Sequence, residues 1–231
     1  LADLIDQNEW DQLRSFVQGL RLSEESWLCR GAVRCHLLGE LQDWDDFDVI
    51  TNASEGELAS AIAKSNLPIT RTFHGGYSFK SLTGRKIDIW ALARTSGREC
   101  ASLAEALSAF EFNVDAIARS FRSNEINDPL NVRSEILSRK LRIQETAQIE
   151  RNAYLPVKAA YLVLRHDFEP DESIRRIWMH DPQIGDLPTK AIPALRQEIV
   201  ALRIRRDLRT VKAFVDRYPG LVKYVDLLVP E

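Results

Sequence analysis

The stretch Arg30-Gly31-Ala32-Val33-Arg34, followed by Asp46-Phe47-Asp48-Val49-Ile50-Thr51, decides how this chain is read. In the second piece acidic and apolar residues alternate with the period of a β-strand. Successive strand side chains point to opposite faces, so Asp46 and Asp48 share one face while Phe47 and Val49 turn into the core. Two neighbouring carboxylates repel one another unless a cation sits between them. Lys86-Ile87-Asp88-Ile89-Trp90 repeats the pattern, with a lone acid between two isoleucines on a later strand.

Three acids from two strands of one sheet suit a pair of Mg²⁺ ions, because hard cations prefer carboxylate oxygens. Such a cluster serves phosphoryl or nucleotidyl transfer: one ion acidifies the attacking hydroxyl, the other steadies the triphosphate and its leaving group. Gly31 precedes a predicted helix, Ala32 to Leu38, whose N-terminus offers unspent N–H groups and a positive dipole end to a phosphate. A D-x-D match alone is weak evidence. The whole order is far more specific: glycine turn, helix, acid-alternating strand, then a further acid about 40 residues on.

Outward from that core, helical spacing marks Asn8 to Leu20, with Trp10, Leu13, Phe16, Val17 and Leu20 on one face. A helix is expected from about Glu55 to Lys64. Strands are expected at Ile69 to Phe73, Tyr77 to Ser81 and Lys86 to Leu92, separated by Gly75-Gly76 and Thr83-Gly84. A short helix over Leu103 to Ser108 precedes strand-like alternation from Phe112 to Arg119, and Asp128-Pro129 marks a turn. Beyond Ile136 helical periodicity takes over, at Tyr154 to Leu164, Glu172 to Met179, Ile192 to Leu208 and Thr210 to Tyr218. The expected class is α+β: a mixed sheet flanked by helices over residues 1–145, then an all-helical part over 146–231.

Composition sets the outer bounds. The chain has 231 residues, 45% hydrophobic and 28% charged, an ordinary globular balance. No apolar run approaches the ~18 residues of a spanning helix, and no signal-peptide pattern is present, so a cytoplasmic protein is expected. The chain begins at Leu1 rather than Met, which predicts a native extension ahead of it. Cys29, Cys35 and Cys100 form no C-x-x-C pair and are expected as reduced thiols; Cys29, Cys35 and His36 lack further ligands at zinc-like spacing. Residues 1–150 carry 17 Lys+Arg against 23 Asp+Glu, and residues 151–231 carry 14 against 11. The basic excess lies in the C-terminal third, where Arg203, Arg205, Arg206, Arg209 and Lys212 cluster. Either RNA phosphates or solvent would suit that helix face. Trp90 and Trp178 read as core anchors, Trp90 also as a border of a nucleotide pocket, and His166 and His180 as surface or packing residues.

The segment Cys29 to Thr51 resembles the head of the DNA polymerase β-type nucleotidyltransferase superfamily. It is most similar to the branch of tRNA CCA-adding enzymes and bacterial poly(A) polymerases, which reads GGAVRD-LLLG followed by DIDLVT. The resemblance continues through Phe73-His74-Gly75-Gly76-Tyr77, Asp88, Phe112 to Ala118, Asp128-Pro129 and Lys140-Leu141-Arg142, covering residues 25 to 170. It implies that Asp46 and Asp48 ligate metal and that Asp88 is the third carboxylate, which helps activate the acceptor hydroxyl. It also implies a phosphate-binding turn at Gly31, and either a phosphate contact or a brace at Arg34. An NTP would be the substrate and an RNA 3′ end the first-ranked acceptor, ahead of a protein side chain or a small molecule.

Departures from the family pattern matter equally. Arg30 stands where the first glycine belongs, narrowing the turn or adding a phosphate contact, and Cys35 replaces an aspartate. The ribose-binding RRD segment reads Ala109-Phe110-Glu111, and the base-reading EDxxR segment falls at Arg151 to Leu155 without its acid or arginine. Hydrogen-bonded selection of C and A therefore has no visible agent, which argues against CCA addition itself. A nucleotide- or RNA-binding module that lost turnover is the competing reading.

Overall fold

The computed structural model describes residues 7–40, 46–65, 68–72, 75–80, 84–144, 155–180 and 216–217. The chain divides into two compact units, Leu1–Leu137 and Ser138–Glu231.

The first unit is built on a seven-stranded sheet. Its strands are β1 (Ser26–Cys29), β2 (Asp46–Thr51), β3 (Thr70–Arg71), β4 (Tyr77–Lys80), β5 (Lys86–Ala91), β8 (Ala118–Ser120) and β9 (Ile126–Asn127), in the order β3-β4-β5-β2-β1-β8-β9. Only β2 and β5 run parallel; every other neighbour in this sheet is antiparallel. A separate hairpin joins β6 (Arg94–Thr95) to β7 (Arg98–Glu99). Its turn places Ser96 and Gly97 at φ of 52° and 75°, the paired left-handed conformation that suits a two-residue hairpin.

Helix α1 (Gln7–Gly19) turns Trp10, Leu13 and Val17 inward, with Phe16 4.5 Å from Phe79 and Trp10 stacked 5.0 Å from Phe121. Between β1 and β2 lies α2 (Gly31–Leu38), closed by Gly39 at φ 70°. Helix α3 (Glu55–Lys64) follows β2 and α4 (Leu103–Ser108) follows the hairpin; Ser54 and Ser102 cap them by accepting from the N–H groups of Glu57 and Glu105. Helix α5 (Arg133–Leu137) ends the unit, and Asp128 accepts the Val132 and Arg133 N–H groups at its start. The second unit holds α6 (Leu155–His166) and α7 (Glu172–His180), plus a two-residue parallel ladder between β10 (Lys140–Leu141) and β11 (Glu169–Pro170). Trp178 anchors it as a core residue and donates its indole N–H to the Pro156 carbonyl at 3.0 Å.

The expected α+β class with a mixed sheet is what the structure has. Two expectations differ: the part from 146 on, expected to be all-helical, also holds the short strand β11, paired with β10; the other lies before β8. The alternation from Phe112 to Arg119 suggests a single strand, but Asn113–Asp115 form a 3-10 turn and only Ala118–Ser120 are extended. The polar members of that alternation face protein rather than water: Asn113 donates to Glu135 at 2.9 Å and Asp115 accepts from Arg34. His166 is a packing residue, 2% exposed between Tyr161 and Phe168. All three cysteines are buried outside any disulfide. Among the described residues no helix is long and apolar enough to cross a membrane. The helix expected over 192–208, the basic cluster at Arg203 to Lys212, and residues 151–154 of the base-reading segment lie outside the described residues. So does most of the helix expected over 210–218, of which 216–217 are helical.

Gly76 tests the sheet. A β-carbon there would meet the Ile89 carbonyl at 2.8 Å and the Trp90 β-carbon at 2.9 Å, both too close. Gly76→Ala should therefore cost about 1–3 kcal/mol through overpacking, measured as a lower urea midpoint. An unchanged midpoint would show that β4 approaches β5 less closely.

Candidate active site

Parallel pairing of β2 with β5 sets Asp48 opposite Asp88 and Asp46 opposite Lys86. Residues 46 and 48 of β2 and residues 86 and 88 of β5 therefore share one sheet face. Phe47, Val49, Ile87 and Ile89, all buried, hold the strands from the other face. Asp46, Asp48 and Asp88 bring one carboxylate oxygen each within 4.8 Å of one another. The third strand at this point is β1, where Cys29 pairs with Asp48 and its Sγ donates to the Asp48 carbonyl at 3.3 Å.

Two side-chain cations of the chain face these three acids. Arg30 Nη1 lies 3.6 Å from Asp48 Oδ2, and Lys86 Nζ donates to Asp88 Oδ2 at 2.5 Å. The other oxygen of Asp88, Oδ1, is buried without a hydrogen-bond partner. Burial pushes the Asp48 carboxyl up from 3.8 to about 7; Arg30 opposes that rise, and Asp46, Asp88 and Asp115 add to it. Burial works against the Lys86 ammonium, but the hydrogen bond and charge of Asp88, with the charges of Asp46 and Asp48, together outweigh it and raise its pKa. The orphaned Asp88 oxygen, the clustered hard donors and the strained ionisation of Asp48 together fit a divalent cation.

Arg30 and Gly31 stand between β1 and the body of α2. The glycine-like backbone belongs to Arg30, at φ 61° and ψ −132°, and not to Gly31, which opens the helix. A β-carbon on Gly31 would meet only Arg34 Nη2, at an ordinary 3.5 Å. Free approach of backbone to a phosphate is thus available at α2, whose first turn keeps its N–H groups outside the helical ladder. Arg34, 6% exposed, donates to the buried Asp115 of the 3-10 turn. That bond ties α2 to the 3-10 turn.

Sequence reasoning overlooked Lys86 and Phe110. Lys86 is adjacent in pattern to Asp88 and carried its own signal, a cation two residues away on the same strand face. Phe110, in the segment that departs from the ribose-binding pattern, is buried under the Arg30 guanidinium, 5.1 Å from carbon to ring centroid. It meets the ring of Trp90 edge-on at 6.5 Å. Trp90 also donates to Thr95 Oγ1 and borders a cleft of about 420 Å³ with Glu55, Arg71, Tyr77 and Arg94.

Solved structures share this arrangement of elements. A CCA-adding enzyme in complex with CTP superposes with a TM-score of 0.65 at 17% identity, over 95% of this chain and 53% of that one. The chain has the nucleotidyltransferase fold of the CCA-adding enzymes. The Bacillus stearothermophilus CCA-adding enzyme with CTP gives 0.64 at 20% identity, over 82% of this chain and 47% of that one. The Thermotoga maritima CCA-adding enzyme with tRNA gives 0.59 at 17%, over 95% and 47%. This chain spans about half the length of these proteins. No family model matches the sequence, and no curated protein does.

Two measurements probe the site. Asp48 binds its proton more tightly folded than unfolded, so its own contribution to the stability of metal-free protein should fall as pH rises from 3.8 to about 7. The Asp48→Asn variant should match wild type near the bottom of that window and exceed it above the top, in urea midpoints taken in chelator. Equal midpoints at every pH would refute the buried, repelled carboxylate. Arg34→Met removes the Arg34 hydrogen bond from the buried Asp115 and should cost about 1–3 kcal/mol, measured as a lower urea midpoint; an unchanged midpoint would show that Arg34 does not hold the 3-10 turn.

Proposed function

We propose that the chain is a metal-dependent nucleotidyltransferase, moving a nucleoside monophosphate from an NTP to an acceptor hydroxyl, with an RNA 3′ end as the acceptor. The observation that carries this reading is the meeting of Asp46, Asp48 and Asp88 on two parallel strands, their oxygens within 4.8 Å of one another. The fold supports it, since its neighbours are solved with CTP, ATP and tRNA.

Asp46, Asp48 and Asp88 would hold a pair of Mg²⁺ ions, and Asp88 would also help activate the acceptor hydroxyl. Bound there, divalent metal supplies positive charge for the triphosphate and lowers the pKa of the hydroxyl. The amides opening α2 would receive a phosphate. The acceptor hydroxyl gives its proton to the Asp88 carboxylate, its oxygen forms a bond to the α-phosphorus, the bond from that phosphorus to the bridging oxygen breaks, and pyrophosphate leaves. Residues 1–145 would carry the chemistry and 146–231 would serve the acceptor.

A second reading rests on a specific observation. Arg30 and Lys86 already neutralise Asp48 and Asp88, as they would in a nucleotide-binding module that has no turnover. Acceptors on protein or small molecules share the same chemistry at the acids.

Incubation with each labelled NTP, Mg²⁺ and bulk RNA should yield labelled RNA, and Asp46→Ala should lower the rate at least about 100-fold. Label on protein or small molecules instead would change the acceptor alone. No product from any NTP, with Mg²⁺-dependent NTP binding intact, would establish the binding module.

A further inference from the structure

Arg30 occupies a backbone conformation that a side chain rarely adopts. At φ 61° and ψ −132° its β-carbon crowds the chain, and no side-chain hydrogen bond caps the helix there in compensation. What holds the residue is on the other end of its side chain. The guanidinium lies between the Asp48 carboxylate, 3.6 Å away, and the face of the buried Phe110 ring. Lys86 plays the equivalent part for Asp88. The acid cluster thus contains two side-chain cations, and a divalent ion carries the same charge as the pair.

We propose that Arg30 is an internal counter-ion that competes with divalent metal for Asp48, so that it sets the metal affinity of the site. This rests on the reading of Asp46, Asp48 and Asp88 as metal ligands. A guanidinium 3.6 Å from a ligand oxygen repels an incoming cation at a distance where charges in a protein interact strongly. Metal must therefore displace it or bear its repulsion, and either lowers affinity. The seat on Phe110 makes the competition specific to arginine's flat cation, beyond mere charge.

Mn²⁺ titrated into the full chain at low ionic strength, with free Mn²⁺ read by electron paramagnetic resonance, tests this. Arg30→Gly, which suits the backbone, and Arg30→Gln, which keeps the length, should each bind Mn²⁺ at least tenfold more tightly than wild type. Arg30→Lys should stay closer to wild type than either, and Asp48→Asn should abolish the gain. Affinities of both neutral variants within twofold of wild type, or weaker, would overturn the counter-ion role while leaving the metal site standing. Absence of Mn²⁺ binding in wild type and every Arg30 variant would overturn the metal site itself and this inference with it. Metal-free thermal unfolding separates these from misfolding, and Arg30→Gln serves if Arg30→Gly does not fold.

Discussion

Everything at this site depends on two carboxylates being placed side by side in the middle of a sheet. The parallel register of β2 and β5 aligns Asp48 with Asp88 at adjacent positions, where backbone hydrogen bonds forbid them to drift apart. Repulsion cannot relax by motion, so it must be met by charge. Arg30 and Lys86 meet it from within the chain, and a cation from solution is the alternative. Apolar residues beneath the strands supply the rigidity that keeps the problem posed. The fold and the chemistry are thus two faces of one alternating pattern, with burial on the odd positions and charge on the even ones.

Much of this was legible in the sequence because its cause is local. Alternation at Asp46 to Thr51 and at Lys86 to Trp90 marks strands wherever they pair. Serine followed three residues later by glutamate marks the starts of α3 and α4, whose limits matched the expected Glu55–Lys64 and Leu103–Ser108. The less legible parts depend on partners distant in the chain. Nothing local tells β2 to pair in parallel with a strand about 40 residues on, or Asn113 and Asp115 to face Glu135 and Arg34. The backbone of the turn before α2 was not legible either: Arg30 has a positive φ there, and its side chain is held by Asp48 and Phe110, both distant in the chain.

The comparisons fit that division. At 16–20% identity, with no family model matching, the fold is shared with CCA-adding enzymes while most side chains are not. A mixed sheet needs only apolar residues of suitable size on its buried positions, a tolerant requirement that many sequences meet. Recognition of a base or ribose needs particular polar groups at particular places, and these are where the chain departs. Phe110 is a buried ring that seats the chain's own arginine.

The order of strands carries one more consequence. Asp46 and Asp48 lie on β2, fourth from one edge and flanked on both sides by β5 and β1, whereas the two-residue strands β3 and β9 form the edges. Local opening begins where backbone amides are least enclosed and reaches the centre of a sheet last. Fraying at either edge would therefore leave the spacing of the two acids untouched. The amides of β2 should be among the slowest in the chain to exchange with solvent, so that the residues under the greatest electrostatic tension belong to the part of the protein that breathes least.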